Sequence, residues 1–197
     1  MHKFLISRNP VTHAQFKCLV EGMVLPALPS CFEDDNFPIV NLSSKEAMEW
    51  CKMLTKYLQG ERILLDGELV SLPTSDQWEI ACRAGSSHTY HFGRDLLPEY
   101  SNFNPDAYSD ESRSERHKYQ PTEPGHFGVS NNWGISDMHG NVFEWCLHPK
   151  SETTFIARGG SFRTGSAYCR SAYQKILERL DYTMDDIGFR ICIRISN

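Results

Sequence analysis

Apolar residues recur at helical spacing in three places, and each run is preceded by a hydroxyl residue with Glu or Gln three positions later. Thr12 and Gln15 stand before Phe16, Leu19 and Val20, with Gly22 as a stop. Ser43 and Glu46 lead into Ala47, Trp50, Cys51, Leu54 and Leu58, which run to Gly60. Thr74 and Gln77 lead into Trp78, Ala81 and Cys82, closed by Gly85. In such a capping box the hydroxyl accepts from the third helical amide while the Glu or Gln side chain accepts from the cap amide. Three helices follow, the second the longest. Alternating patterns are scarcer. Residues 62–65 and 69–72 flank Asp66-Gly67, a pair that tolerates the positive φ of a two-residue turn, which predicts a hairpin. At the end of the chain Phe189, Ile191, Ile193 and Ile195 alternate with Arg190 and Arg194, as in a strand with one apolar face. Residues 23–37 read as loop and 37–42 as a brief extended run. Residues 86–133 are irregular, with a charged stretch at 110–118, and loops of that length are commonly functional.

A chain of 197 residues without internal repeats supports one well-cored domain. No apolar run approaches the length of a membrane span, so a membrane helix is not expected. Net charge of -5 supplies no electrostatic footprint for DNA or RNA, and no nucleic-acid partner is expected. The seven cysteines, at 18, 31, 51, 82, 146, 169 and 192, contain no C-x-x-C pair and no zinc spacing. They read as buried unpaired thiols. With no secretory signal visible in the first residues, this favours a cytoplasmic protein.

Three pieces stand apart from the periodic elements: ISDMHGNVFEWC at 135–146, ARGGSF at 157–162 and IGFR at 187–190. They resemble the D-M-x-G-N-V-x-E-W, R-G-G-S-aromatic and G-F-R motifs of the formylglycine-generating enzyme, or sulfatase-modifying factor, family. The likeness extends to NPVTHAQF at 9–16, FPIVNLSSKEAMEWC at 37–51 and LPTSDQWEIACRAG at 72–85, and so covers nearly the whole chain. The resemblance implies an α+β, C-type-lectin-like domain over residues 1–197: small twisted antiparallel sheets, two to three flanking helices and much irregular backbone. It also shows a departure. Family members begin with a further strand carrying a Met-Gly pair, whereas this chain starts just before the first helix, which implies an open sheet edge that a partner chain could cover.

The same resemblance implies chemistry. In the family the D-M-x-G-N-V-x-E segment wraps calcium with oxygen ligands, and the matching positions here are Asp137, Gly140, Val142 and Glu144. The alternative is that the two carboxylates only hydrogen-bond turn amides. Trp133, Phe143, Trp145 and Phe162 read as core aromatics around these turns, Asn141 as an amide holding loop backbone, and His88 and His91 as surface histidines. Active formylglycine-generating enzymes bind monovalent copper through two cysteines after the R-G-G-S motif. Here Thr164 stands where the first is expected. Counting without gaps puts Cys169 on the second, but Arg170, Ser171 and Ala172 resemble a segment of shorter relatives that calls for a gap and leaves Cys169 in the core. Copper catalysis is therefore not expected. Iron-dependent relatives carry their ligands in a helical domain that this sequence does not show.

Variable proteins of diversity-generating retroelements share the scaffold and vary exposed residues near the C-terminus. The run FRTGSAYCRSAY lacks Lys, Glu, Gln, Met and Trp, which suits adenine-targeted diversification of Asn codons, and its Tyr, Ser, Gly and Arg content suits recognition. This implies a non-enzymatic ligand-binding protein that takes a protein or other macromolecular ligand on residues 161–190. Phe162, Arg163, Thr164, Ser166, Tyr168, Tyr173 and Tyr182 are the expected contacts. The alternatives are a formylglycine-generating or related protein-oxidising enzyme, and a structural subunit docking through its N-terminal edge.

Overall fold

The computed structural model describes residues 3–20, 32, 34–105, 107, 119–151, 153–179 and 181–195. Gly22, Cys31 and the charged stretch 110–118 lie outside them. All three capping boxes form. They start α1 (His13–Lys17), α2 (Ser44–Gly60) and α3 (Ser75–Arg83), with Thr12, Ser43 and Thr74 accepting from Gln15, Glu46 and Gln77 amides. The third helix stops at Ala84, which adopts a left-handed conformation with φ of 43°, one residue before Gly85. No described helix is long and apolar enough to cross a membrane.

Two small sheets carry the rest. In the first, β1 (Phe4–Ile6) and β2 (Glu68–Ser71) pair antiparallel with opposite edges of β7 (Cys192–Ile195). In the second, β3 (Phe143–Leu147) and β4 (Phe155–Arg158) form the centre, flanked by β5 (Lys175–Leu177) on β4 and by β6 (Ile187–Gly188) on β3. The β3–β6 pair is parallel, so this sheet is mixed where an antiparallel one was expected. Helix α2 lies on β2: the Thr55 hydroxyl donates to Cys51 O at 2.9 Å and accepts from the Val70 amide at 2.9 Å. A large core between α1, α2 and both sheets collects Phe16, Trp50, Leu72, Trp145, Phe155 and Phe189, and a smaller one under α3 collects Trp78, Met138 and Ile156.

Four expectations need correction. Residues 62–65 form no strand, so Asp66-Gly67 does not turn a hairpin. Instead the chain leaves α2 with Ile63 and Leu65 exposed, closes a turn from the Glu68 amide to Leu65 O at 2.9 Å, and sends β2 to the distant β7. A two-residue turn helps only if both flanking runs have an alternating face to bury, and in 62–65 Leu64 alone is buried. The N-terminal sheet edge is not open at β7, because residues 4–6 themselves occupy it as β1. The terminal alternation is not one strand: Phe189 and Arg190, fully buried, and Ile191 lie in the link from β6 to β7, while Ile193, half-buried, and Ile195, exposed, lie in β7. Trp133 is exposed, whereas Phe143, Trp145 and Phe162 are buried as expected. Of the described cysteines, Cys51, Cys82, Cys146, Cys169 and Cys192 are buried free thiols and Cys18 is an exposed one.

Candidate functional site

Glu144 sits on β3 opposite Arg158 of β4, with its side chain pointing into the protein. Arg190 meets it with two hydrogen bonds, Nε to Oε2 at 2.6 Å and Nη2 to Oε1 at 2.7 Å, and Trp78 Nε1 donates to Oε2 at 2.6 Å. The remaining guanidinium donors reach Ser7 O at 3.0 Å, Arg8 O at 3.2 Å and Ser136 O at 2.9 Å. This bidentate, fully buried pair is among the stronger polar arrangements a protein makes. It ties the second sheet to the segments before α1 and around 136.

That arrangement bears directly on calcium. Glu144 already faces a cation, and both of its oxygens accept from protein donors. Asp137, at φ 58°, accepts from the Gly125 amide at 2.5 Å, and burial pushes its carboxyl up to about 6, which disfavours the charged form a metal needs. The Val142 side chain belongs to an apolar cluster with Phe32, Val40 and Phe162. Gly140, at φ 111°, lets its backbone lie against Asn102 O and Ser101 Oγ, which a Cβ would strike. Among the described residues no group of three or more His, Cys, Asp or Glu is arranged for a metal. Of the set Asp137, Gly140, Val142 and Glu144, the two carboxylates are thus engaged by protein donors, the contacts that the hydrogen-bonded alternative calls for. Asn141 does hold loop backbone: its amide donates to Thr122 O at 3.1 Å and accepts from the Thr122 amide at 3.0 Å.

The residues expected at a recognition surface divide. Phe162 is fully buried, edge-on to Phe32 with centroids 5.6 Å apart, and is corrected from a contact to a core residue. The reason is local: the Ser161 amide donates to Thr164 Oγ1 at 2.9 Å, and Ser161 Oγ donates to Asp186 Oδ2 at 2.6 Å, which turns the 161–164 loop with its aromatic inward. Arg163 points outward, its fork on Asp185 at 3.1 and 2.6 Å. A 3-10 turn at Ser166–Cys169 carries Tyr168 to the surface, 37% exposed and edge-on to Tyr173 at 5.0 Å. Lys175 of β5 extends its ammonium over the Phe143 ring, 5.3 Å from the centroid. Arg163, Thr164, Tyr168 and Tyr173, with Phe143, Gly165 and Lys175, line one cavity of about 380 Å³. Ser166 is half-buried and gives its carbonyl to the Tyr90 hydroxyl at 2.9 Å. Tyr182 is half-buried against the large core. Neither of these two lines the cavity.

Behind the cavity, the Cys169 thiol donates to Gly165 O at 3.8 Å. Cys169 is a core residue. Burial pushes its thiol up to about 12, and Gly160 packs so closely on it that a Cβ there would strike the sulfur. Sequence reasoning missed His139. Its Nε2 accepts from the His91 amide at 2.9 Å, which leaves Nδ1 to donate to Cys169 O at 2.8 Å. Burial lowers it to about 3, and lowers the stacked His91, with centroids 5.0 Å apart, to about 4. His91 is accordingly half-buried, while His88 is on the surface as expected. Nothing in the sequence marks His139 beyond its place between Met138 and Gly140.

With this geometry in hand, relatives can be compared. Residues 1–195 match the sulfatase-modifying factor enzyme 1-like domain family. The chain is 27% identical over 164 residues to inactive C-alpha-formylglycine-generating enzyme 2 of Mus musculus, covering 78% of this chain and 48% of that one. It is 26% identical over 160 residues to the formylglycine-generating enzyme of the same organism, covering 71% and 39%. The chain thus spans half or less of the length of these curated relatives. Among solved structures, Treponema denticola variable protein 1 superposes with a TM-score of 0.72 at 20% identity, covering 97% of this chain and 84% of the other. PvdO from Pseudomonas aeruginosa gives 0.75 at 20% identity, covering 98% and 80%. At these identities the structures speak for the fold.

Proposed function

The chain belongs to the sulfatase-modifying factor enzyme 1-like domain family, and on that scaffold we propose that it is a non-enzymatic binding protein whose ligand surface is the cavity at Arg163, Thr164, Tyr168 and Tyr173. The observation that carries this reading is their convergence: Arg163 and Thr164 from one loop, Tyr168 from the 3-10 turn and Tyr173 from the segment before β5 meet at one opening, with Phe143 and Lys175 completing it. Tyr and Arg are the side chains most often found as binding anchors. A pair of edge-on tyrosines supplies area at a low cost in side-chain entropy. The likeness in fold to a variable protein supports a role in which the scaffold stays constant while residues 163–182 set the ligand.

The oxidase reading draws less support. A two-coordinate thiolate site needs two deprotonated sulfurs. Position 164 offers a hydroxyl, and Cys169 is buried and held protonated.

The test is a random peptide library panned on the full chain and counter-panned on an Arg163→Ala/Tyr168→Ala variant. Sequences enriched on the parent and lost on the variant support the site. Enrichment that ignores the variant refutes it. In parallel, a Cys-containing sulfatase-motif peptide is incubated with the chain, monovalent copper and oxygen. Turnover to the aldehyde would restore the enzyme reading.

A further inference from the structure

A cavity of about 700 Å³ lies apart from the surface just described, between the loops 98–105 and 120–127. Its volume falls in the range of small-molecule sites. Phe37, Phe103 and Phe127 line it together with three prolines, so its walls are largely apolar. Among the described residues the charges that line it are of one sign: Glu99 and Glu123 do, no Lys or Arg does, and His126 is the other ionisable group. Neither carboxylate is in an ion pair among the described residues. Glu99 is exposed, and Glu123 accepts from Asn36 Nδ2 at 3.4 Å. Deeper in, the Thr122 hydroxyl is cut off from solvent with no hydrogen-bond partner, while the Thr122 backbone is anchored at both ends by Asn141.

We propose that this cavity binds a small organic cation, an alkylammonium whose hydrocarbon body lies on the Phe rings and whose charge is met by Glu99 and Glu123. Each alternative ligand class leaves something unmatched. An anion would face two carboxylates and, among the described residues, no guanidinium or ammonium. A neutral apolar molecule would fill the walls while gaining nothing from the rim. A cation attached to an apolar body uses both, because the faces of aromatic rings attract positive charge as well as hydrocarbon. The net charge of -5 adds a long-range attraction of the same sign. This inference is independent of the binding surface at Tyr168.

The test titrates benzyltrimethylammonium into the isotopically labelled full chain at low salt and follows backbone amide shifts. Neopentylbenzene, its neutral isostere, and benzoate serve as controls. Saturable shifts centred on residues 99–103 and 120–127 are expected for the cation, with the neutral isostere and benzoate binding about fivefold or more weakly. Glu99→Gln/Glu123→Gln removes both charges at exposed positions while keeping an acceptor for Asn36. It should weaken the cation to the level of the isostere and leave the isostere unchanged. The proposal is overturned if the cation produces no saturable shifts there, if all three compounds bind alike, or if the double variant binds the cation as the parent does.

Discussion

Replacing Glu144 by Gln is the sharpest single perturbation of this protein. The parent carboxylate takes three donors, two from Arg190 and one from Trp78, and none of the groups is in contact with water. Gln keeps the shape but removes the charge and turns an NH2 toward other donors, so the guanidinium is left buried and uncompensated. Breaking a buried pair from one side costs about 3–5 kcal/mol. A domain of this size loses about 2–4 °C per kcal/mol, so the midpoint of thermal unfolding should fall by about 6–20 °C. Urea unfolding followed by Trp fluorescence measures the free energy directly. Glu144→Leu combined with Arg190→Met should recover part of the loss, because no charge then stays buried, although Ser7, Arg8 and Ser136 carbonyls lose donors. The same experiment separates ion pair from metal. If Glu144 serves Arg190, the loss is identical with and without chelator, and chelator leaves the parent's midpoint unchanged. A Glu144→Gln variant within about 1 kcal/mol of the parent, or a parent destabilised by chelator, would refute the reasoning.

Phe162→Ala should cost about 3–5 kcal/mol in urea unfolding, as for any fully buried ring, whereas Tyr168→Ala should cost about 0.5 kcal/mol or less; equal losses would put Tyr168 in the core. Acid should destabilise the fold. Unfolded His139 and His91 take up protons below their ordinary 6.5 while the folded forms wait until about 3 and about 4, so each subtracts stability as pH falls through that window. Asp137, raised to about 6, works the other way between about pH 6 and 4, because there the folded form is protonated first. Discounting His91 for its partial exposure, the net loss from pH 7 to 4.5 is about 1–3 kcal/mol, and a His139→Asn variant should show a flatter profile. Thiol labelling of the native chain read residue by residue should modify Cys18 quickly and Cys51, Cys82, Cys146, Cys169 and Cys192 only on unfolding; rapid labelling of Cys169 would reopen the question of a reactive thiol.

The sequence alone determined what local chemistry decides. Three capping boxes set the helix starts, because a hydroxyl and a Glu or Gln three residues on satisfy amides within one turn. The helical stripes placed Trp50, Cys51, Trp78 and Cys82 inside, and the 135–146, 157–162 and 187–190 pieces identified the family. What the sequence could not determine was where short runs find their partners. Residues 68–71 look like half of a hairpin, yet they pair with 192–195, since register follows whichever face can be buried and not the nearest turn. Arg190 reads as the polar side of a strand, yet it lies fully buried because Glu144, 46 positions away, neutralises it. Phe162 belongs by composition with Arg163 and Tyr168, but the Ser161 turn sends it inward while its neighbour goes out. His139 leaves no periodic trace, since its role arises from a ring held between the His91 amide and the Cys169 carbonyl, 48 and 30 positions away. A partner many positions away can bury a charge or fix a tautomer. Only tertiary structure brings such partners together.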